Sequence, residues 1–235
     1  MSFLHPRSYY EYDPQAEPRP CILFFCGGSF QKEDRLVWIP QLTAFAEKGY
    51  VVATADYSTF ASTLFPEQLQ EAKAAVRFLR ANADMLHIDP NRIYAMGESA
   101  GGQLAVWLSV TNGSREFDTS DNAEVSSDVQ GCVGLYPVTN VNAFPTPDSI
   151  RVNMSNFPDS CALVSKQTSP MLLLHGTGDR QVPFSQSVHL HDTLLRHGIR
   201  CELLLLEGAQ HSDPSFYTAP VKTRILDFLN SLSSI

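Results

Sequence analysis

No run of lysines and arginines occurs anywhere in the 235 residues, and the formal net charge is −8. A nucleic-acid binder needs clustered cations, so that class is set aside at once. No apolar stretch approaches the ~20 residues that span a bilayer, so no membrane association is expected. The opening "MSFLHPRSYYEYDPQ" has no basic region leading into a long apolar core, and no secretory signal is expected. Cysteine is scarce and odd in number: Cys21, Cys26, Cys132, Cys161 and Cys201, with no C-x-x-C pair. Neither a disulfide framework nor a zinc site is suggested, and a reduced, cytoplasmic protein is the expectation. No internal repeat or low-complexity tract is present.

What the chain does have is hydrophobic content, 43% against 18% charged residues, enough for a sizeable core. Short, continuously apolar runs recur: "CILFF" (21–25), "VVATADY" (51–57), "IYAM" (93–96), "GCVGLY" (131–136), "MLLLH" (171–175) and "CELLLLE" (201–207). Such runs mark strands buried on both faces. Helical patterns lie between them. Leu69, Ala72, Val76 and Leu79 recur at helical spacing, with Asp89–Pro90 ending that stretch. "LAVWLSV" continues a helix after Ser99. Residues 184–197 are amphipathic and end at Gly198, a good C-terminal cap. Residues 221–232 form a last helix, with Ile225, Phe228 and Leu229 on one face. Strands alternating with helices predict one α/β domain over 1–235, a mostly parallel sheet covered on both faces. An exposed edge strand of such a sheet would offer a second copy a pairing surface, so a homodimer is one partner reading.

In an open α/β sheet the ligand crevice lies outside the carboxyl ends of the strands. There, "YAMGESAGGQL" places Gly97-x-Ser99-x-Gly101 between an apolar strand and a helix. This matches the nucleophile elbow, a strained turn that exposes a serine and tolerates only small neighbours. Glu98 and Ala100 read as fillers in that turn. A plain bend is the alternative.

A serine nucleophile needs a base, and the base an orienting acid, in the chain order Ser, acid, His. His5 and His87 precede the serine. His175 lies inside a strand, where a packed histidine is expected. His189, His191 and His197 belong to an amphipathic helix, and the first two cannot share one face as a metal pair. His211, in the polar "EGAQHSD" after the last apolar strand, is the candidate base. Asp179, in the Gly-rich "HGTGDRQVP", is the candidate acid. Asp213 is too close in sequence to His211, and Glu207 sits at a strand end. The oxyanion of an acyl-transfer intermediate needs N–H donors. Ala100 at a helix start supplies one, and "FFCGGSF" supplies Gly28 and Ser29 after an early strand.

These segments together, "CGGSF", "DPNRIYAMGESAGGQLA", "SPMLLLHGTGDRQVPFSQS" and "EGAQHSD", resemble the α/β-hydrolase superfamily. Within it the chain is similar to small carboxylesterases of the hormone-sensitive-lipase and bacterial feruloyl/acetyl-esterase type. The resemblance implies Ser99 as nucleophile, Asp179 as acid, His211 as base, and Gly28, Ser29 and Ala100 as oxyanion donors. Two departures stand out. Cys26 occupies the position where the family has His before its two glycines, which removes that side chain's hydrogen bonds from the loop. The sequence begins about one strand ("SYYEYDP") before "CILFF", and the N-terminal cap helices of lipase-like relatives are not expected in it. The Pro-, Asn- and Ser-rich stretch between Tyr136 and Met171 is too short for a large lid and long enough for a small flap.

The resulting expectation is a serine carboxylesterase for small-molecule esters, without metal or organic cofactor. Phe30, Tyr136, Val182 and Phe216 are candidate pocket walls, each equally well assigned to the core. The base must be neutral, so rate should fall as pH drops through about 6.5. An amidase, such as an aryl-formamidase or a peptidase, would use the same three residues. A hydrolase fold kept only for binding is the reading from a different class.

Overall fold

The computed structural model describes residues 1–4, 17–31, 34–59, 65–144, 154 and 156–232. Seven strands form one sheet: β1 (Ser2–Leu4), β2 (Arg19–Phe25), β3 (Val51–Thr54), β4 (Ile88–Glu98), β5 (Gly131–Leu135), β6 (Met171–Gly176) and β7 (Cys201–Leu206). Their order is β1-β3-β2-β4-β5-β6-β7. Every pairing is parallel except β1 with β3. The chain runs outward from β2 to β3, returns to the centre at β4, then proceeds the other way. The strand-order reversal beside β4 is where such sheets open a crevice.

The apolar runs of the inner strands are buried because both faces of the sheet are covered there; β7, expected to be buried on both faces, is an edge strand in which Cys201 alone is buried and Leu205 is exposed. In β2, residues Cys21 to Phe25 are all buried. Their side chains alternate between two cores, as a period of two requires. Leu23 and Phe25, with Ala53, Ile93, Ala95, Cys132 and Leu173, face α2 (Glu67–Ala81), α4 (Ser99–Val110) and α5 (Ser185–Arg196). Ile22 and Phe24, with Val52, Tyr94, Met96, Val133 and Leu172, face α1 (Ile39–Ala46) and α6 (Ala219–Leu232). Full burial of one such side chain is worth about 1.5–3 kcal/mol.

The helices follow their apolar stripes. Leu69, Ala72, Val76 and Leu79 are the buried face of α2, as expected. Ile225, Phe228 and Leu229 are that of α6. α5 ends at Arg196, with Gly198 at φ +74. One turn signal reads differently in the structure. Asp89–Pro90 does not end a helix: α2 stops at Ala81, α3 (Ala83–Leu86) follows, and both residues lie inside β4. Proline is tolerated at that outer, less buried end of the strand. The short β1 and the helix α1 had no strong period of their own. The expected "SYYEYDP" strand and part of the expected flap between Tyr136 and Met171 lie outside the described residues. No large cap is built from the described residues, and no helix among them is long and apolar enough to cross a membrane.

A buried polar network ties the loop after α4 to α2. Lys73 and Arg77 have no exposed side-chain surface, and both pair with Asp118, at 3.5 and 3.0 Å. The Lys73 ammonium also donates to the Ser114 carbonyl (3.0 Å) and the Ser127 hydroxyl (2.9 Å).

Candidate active site

The turn from β4 into α4 is shaped by what cannot fit. A Cβ on Gly97 would strike the carbonyl of Gly101, and one on Gly101 would strike the carbonyl of Phe25. With both positions reduced to backbone, α4 starts directly against the end of β4. Ser99 then takes a left-handed backbone, φ +53, rare for a residue with a side chain. The turn is the strained elbow expected from the spacing.

The loops after β6 and β7 bring partners to this serine. His211, in the loop after β7, places Nε2 at 2.9 Å from Ser99 Oγ. Its Nδ1 is 2.7 Å from Oδ2 of Asp179, in the loop after β6. An ionised carboxylate only accepts, so Nδ1 carries the proton and Nε2 is left to accept from the serine hydroxyl. Asp179 is held by more than His211. Its Oδ1 accepts from the backbone N–H groups of Gln181 (2.8 Å) and Val182 (2.9 Å).

His175 was expected as a packed structural histidine, and it is fully buried, but it lies against this acid. Its Nε2 is 2.9 Å from the Val182 carbonyl and 3.4 Å from Asp179 Oδ2. Both are acceptors, so this nitrogen carries the proton, and Nδ1 accepts from the Ser187 hydroxyl at 2.8 Å. Burial alone would raise the Asp179 pKa. The hydrogen bonds from His175, His211 and Val182 outweigh it and hold the carboxyl well below the usual carboxylate range. The competing acids sit elsewhere: Asp213 caps the 3-10 turn Pro214–Tyr217 through the Ser215 N–H, and Glu207 is exposed.

Of the proposed oxyanion donors, Ala100 directly follows the serine, and Gly28 and Ser29 lie in the loop after β2, the strand paired with β4. Ala100, buried in the first turn of α4, has an N–H with no partner earlier in its own helix. Gly28 and Ser29 are exposed, at φ +141 and +55, and Phe30 follows at φ +56. All four candidate wall residues are buried. The Tyr136 ring stands edge-on to His211 (4.8 Å), and Phe216 packs behind Tyr136 (4.6 Å). Phe30 joins an aromatic cluster with Tyr57, Trp107 and Phe157. Val182 contributes its backbone, holding Asp179 and His175 together.

Glu98, read from sequence as a filler, is the residue that reading missed. It is 4% exposed, and its carboxyl accepts from the backbone N–H of Gly27. It also hydrogen-bonds the Tyr136 hydroxyl, which is 2.6 Å from that of Tyr217. Burial pushes the Glu98 carboxyl up, against the lowering effect of Gly27, Tyr136 and His211. The Tyr136 and Tyr217 hydroxyls are raised far above the usual tyrosine range, by burial first and the nearby Glu98 charge second. A carboxylate flanking the serine in an otherwise apolar strand end was the available signal, since buried Glu is rare unless paired.

Comparison with known proteins agrees with this architecture. An esterase from Thermogutta terrifontis, solved with butyrate bound, superposes with a TM-score of 0.77 at 26% identity, covering 97% of this chain and 86% of that one. A truncated carbohydrate esterase from gut microbiota shares the fold, with a TM-score of 0.84, at 20% identity over 100% of this chain and 97% of that one. Among curated sequences, a probable isoprenylcysteine alpha-carbonyl methylesterase of Oryza sativa is 29% identical over 87% of this chain and 54% of its own length. Esterase LipC of Mycobacterium tuberculosis is 25% identical, over 94% of this chain and 60% of its own length. The chain thus spans little more than half the length of these curated relatives. The BD-FAE family model matches residues 9–194, and the chain belongs to that family, on the α/β-hydrolase fold.

Proposed function

We propose that this chain is a serine carboxylesterase acting on small esters. The observation that carries the reading is the unbroken relay of hydrogen bonds from Ser99 through His211 to Asp179, 2.9 and 2.7 Å long. Three side chains, from the turn after β4 and the loops after β6 and β7, meet at the carboxyl end of the sheet. A buried acid with fixed Oδ1 holds the imidazole in the tautomer a base requires.

In the acylation half, His211 Nε2 takes the Ser99 proton as Oγ forms a bond to the ester carbonyl carbon. The carbonyl oxygen becomes an oxyanion, which Ala100, Gly28 and Ser29 N–H groups stabilise. The intermediate collapses, the C–O bond to the alcohol breaks, and His211 returns the proton to the departing alkoxide. Water repeats the sequence on the acyl-serine and releases the acid.

The relatives point to modest ester groups: the Thermogutta esterase was solved with butyrate and with propionate, and the rice relative is named a methylesterase. Short acyl chains are the proposed range. Hydrolysis of p-nitrophenyl acetate and butyrate by the wild type and Ser99→Ala tests the reading. Turnover is expected for the wild type only. Equal turnover by Ser99→Ala overturns it.

A further inference from the structure

We propose that Glu98 and Tyr57 are positioning residues that clamp the Cys26–Gly27 peptide group from both ends and so fix the loop that carries the oxyanion donors. The inference rests on the esterase reading above. The Cys26 carbonyl accepts from the Tyr57 hydroxyl at 2.7 Å. The N–H of the same peptide unit, on Gly27, donates to Glu98. One planar group is thus gripped at its oxygen and at its hydrogen, by a residue beyond β3 and by the residue preceding Ser99. A peptide plane held at both ends cannot rotate about its neighbouring φ and ψ.

The clamp stands where the loop needs it. β2 and its ladder end at Phe25, and the next three residues after Gly27 all have positive φ: Gly28, Ser29 and Phe30. Such backbone persists only when its surroundings over-determine it. The proposed donors Gly28 and Ser29 begin one residue past the clamped unit. The geometry is also specific to glycine at 27, where any Cβ would run into the Glu98 carboxyl.

Glu98 is itself held. Tyr217 and Tyr136 hydroxyls form a chain that ends on it. The Tyr136 ring abuts His211, so Glu98 bridges the loop of the oxyanion donors and the loop of the base. This arrangement supports the loop through the backbone of residue 26, so the cysteine standing there need not supply a hydrogen bond of its own.

The test compares Glu98→Ala, Glu98→Gln and Tyr57→Phe with the wild type, in steady-state hydrolysis of p-nitrophenyl acetate and in inhibition by a trifluoromethyl ketone, which forms a tetrahedral adduct. Misplacing the donors weakens the tetrahedral state and leaves ester binding alone. Glu98→Ala and Tyr57→Phe are therefore expected to lose about 10- to 100-fold in kcat with little change in KM. Affinity for the ketone should fall in parallel. Glu98→Gln keeps an acceptor oxygen and is expected to recover most of both. Should Glu98→Ala fail to fold, Glu98→Asp, one methylene short of Gly27, replaces it. Folded Glu98→Ala with unchanged kcat and ketone affinity overturns the clamp, as does Glu98→Gln being as slow as Glu98→Ala. Activity surviving in Ser99→Ala would instead overturn the esterase reading on which the clamp rests.

Discussion

Replacing Asp179 by asparagine should cost about 10⁴ in kcat while leaving the fold intact, and the structure says why. Asn has one oxygen and one NH2 where Asp has two acceptors. In the wild type Oδ1 receives the Gln181 and Val182 N–H groups at 2.8 and 2.9 Å, and Oδ2 faces His211 Nδ1 at 2.7 Å. If the amide oxygen took the Oδ2 position, both backbone N–H groups would confront an NH2. An unmade buried hydrogen bond costs about 1–3 kcal/mol, so that orientation is disfavoured by roughly 2–6 kcal/mol. His175 would favour it, but only through its longer 3.4 Å approach. The NH2 therefore faces His211, and Nδ1 must accept. The ring proton moves to Nε2, which then presents a donor to Ser99 and cannot take its proton. The assay is kcat for p-nitrophenyl acetate at pH 7.5, with the circular dichroism spectrum as the check on folding. A folded Asp179→Asn within tenfold of the wild type would refute the tautomer argument.

Other perturbations have equally definite expected outcomes. Gly101→Ala drives a methyl group into the Phe25 carbonyl; about 2–3 kcal/mol of overpacking strain should lower Tm by roughly 5–10 °C in a scanning calorimeter. Lys73→Met removes a buried ammonium from Asp118, Ser114 and Ser127 far from the serine. It should destabilise in urea unfolding by about 3 kcal/mol, with kcat per folded molecule unchanged. The Asp118 carboxyl is held below its ordinary pKa: burial would raise it, and Ser127, Lys73, Arg77 and Arg115 together outweigh that. A depressed folded pKa gives stability that is full above the unfolded value of about 3.9 and is lost as pH falls through the folded one. The stability gap between wild type and Asp118→Asn should therefore be constant from pH 8 to 5 and shrink below about pH 4.

The inner strands were legible because each carries an apolar run, and only a sheet covered on both faces hides five consecutive side chains such as Cys21 to Phe25, whereas the three residues of β1 offered no such run. The elbow was legible because sterics leave so few residue types at positions 97 and 101. Chain order then pointed to Asp179 and His211, and the fold brings His211 within hydrogen-bond reach of both Asp179 and Ser99. The rest depended on distance in sequence. Glu98 looks like any helix-start carboxylate until Gly27, 71 positions earlier, is found against it. His175 reads as core until the turn to Val182 folds Asp179 back beside it. Asp89–Pro90 carries a strong local turn signal, yet tertiary pairing of β4 with β2 begins at Ile88 and draws both residues into the strand.

The most direct test of the relay is covalent. Incubation with a fluorophosphonate, followed by peptide mass spectrometry, should place one adduct per chain on the peptide carrying Ser99. Labelling should vanish in Ser99→Ala and slow by orders of magnitude in His211→Ala. A folded wild-type protein that stays unlabelled, or an adduct on any other residue, would contradict the account.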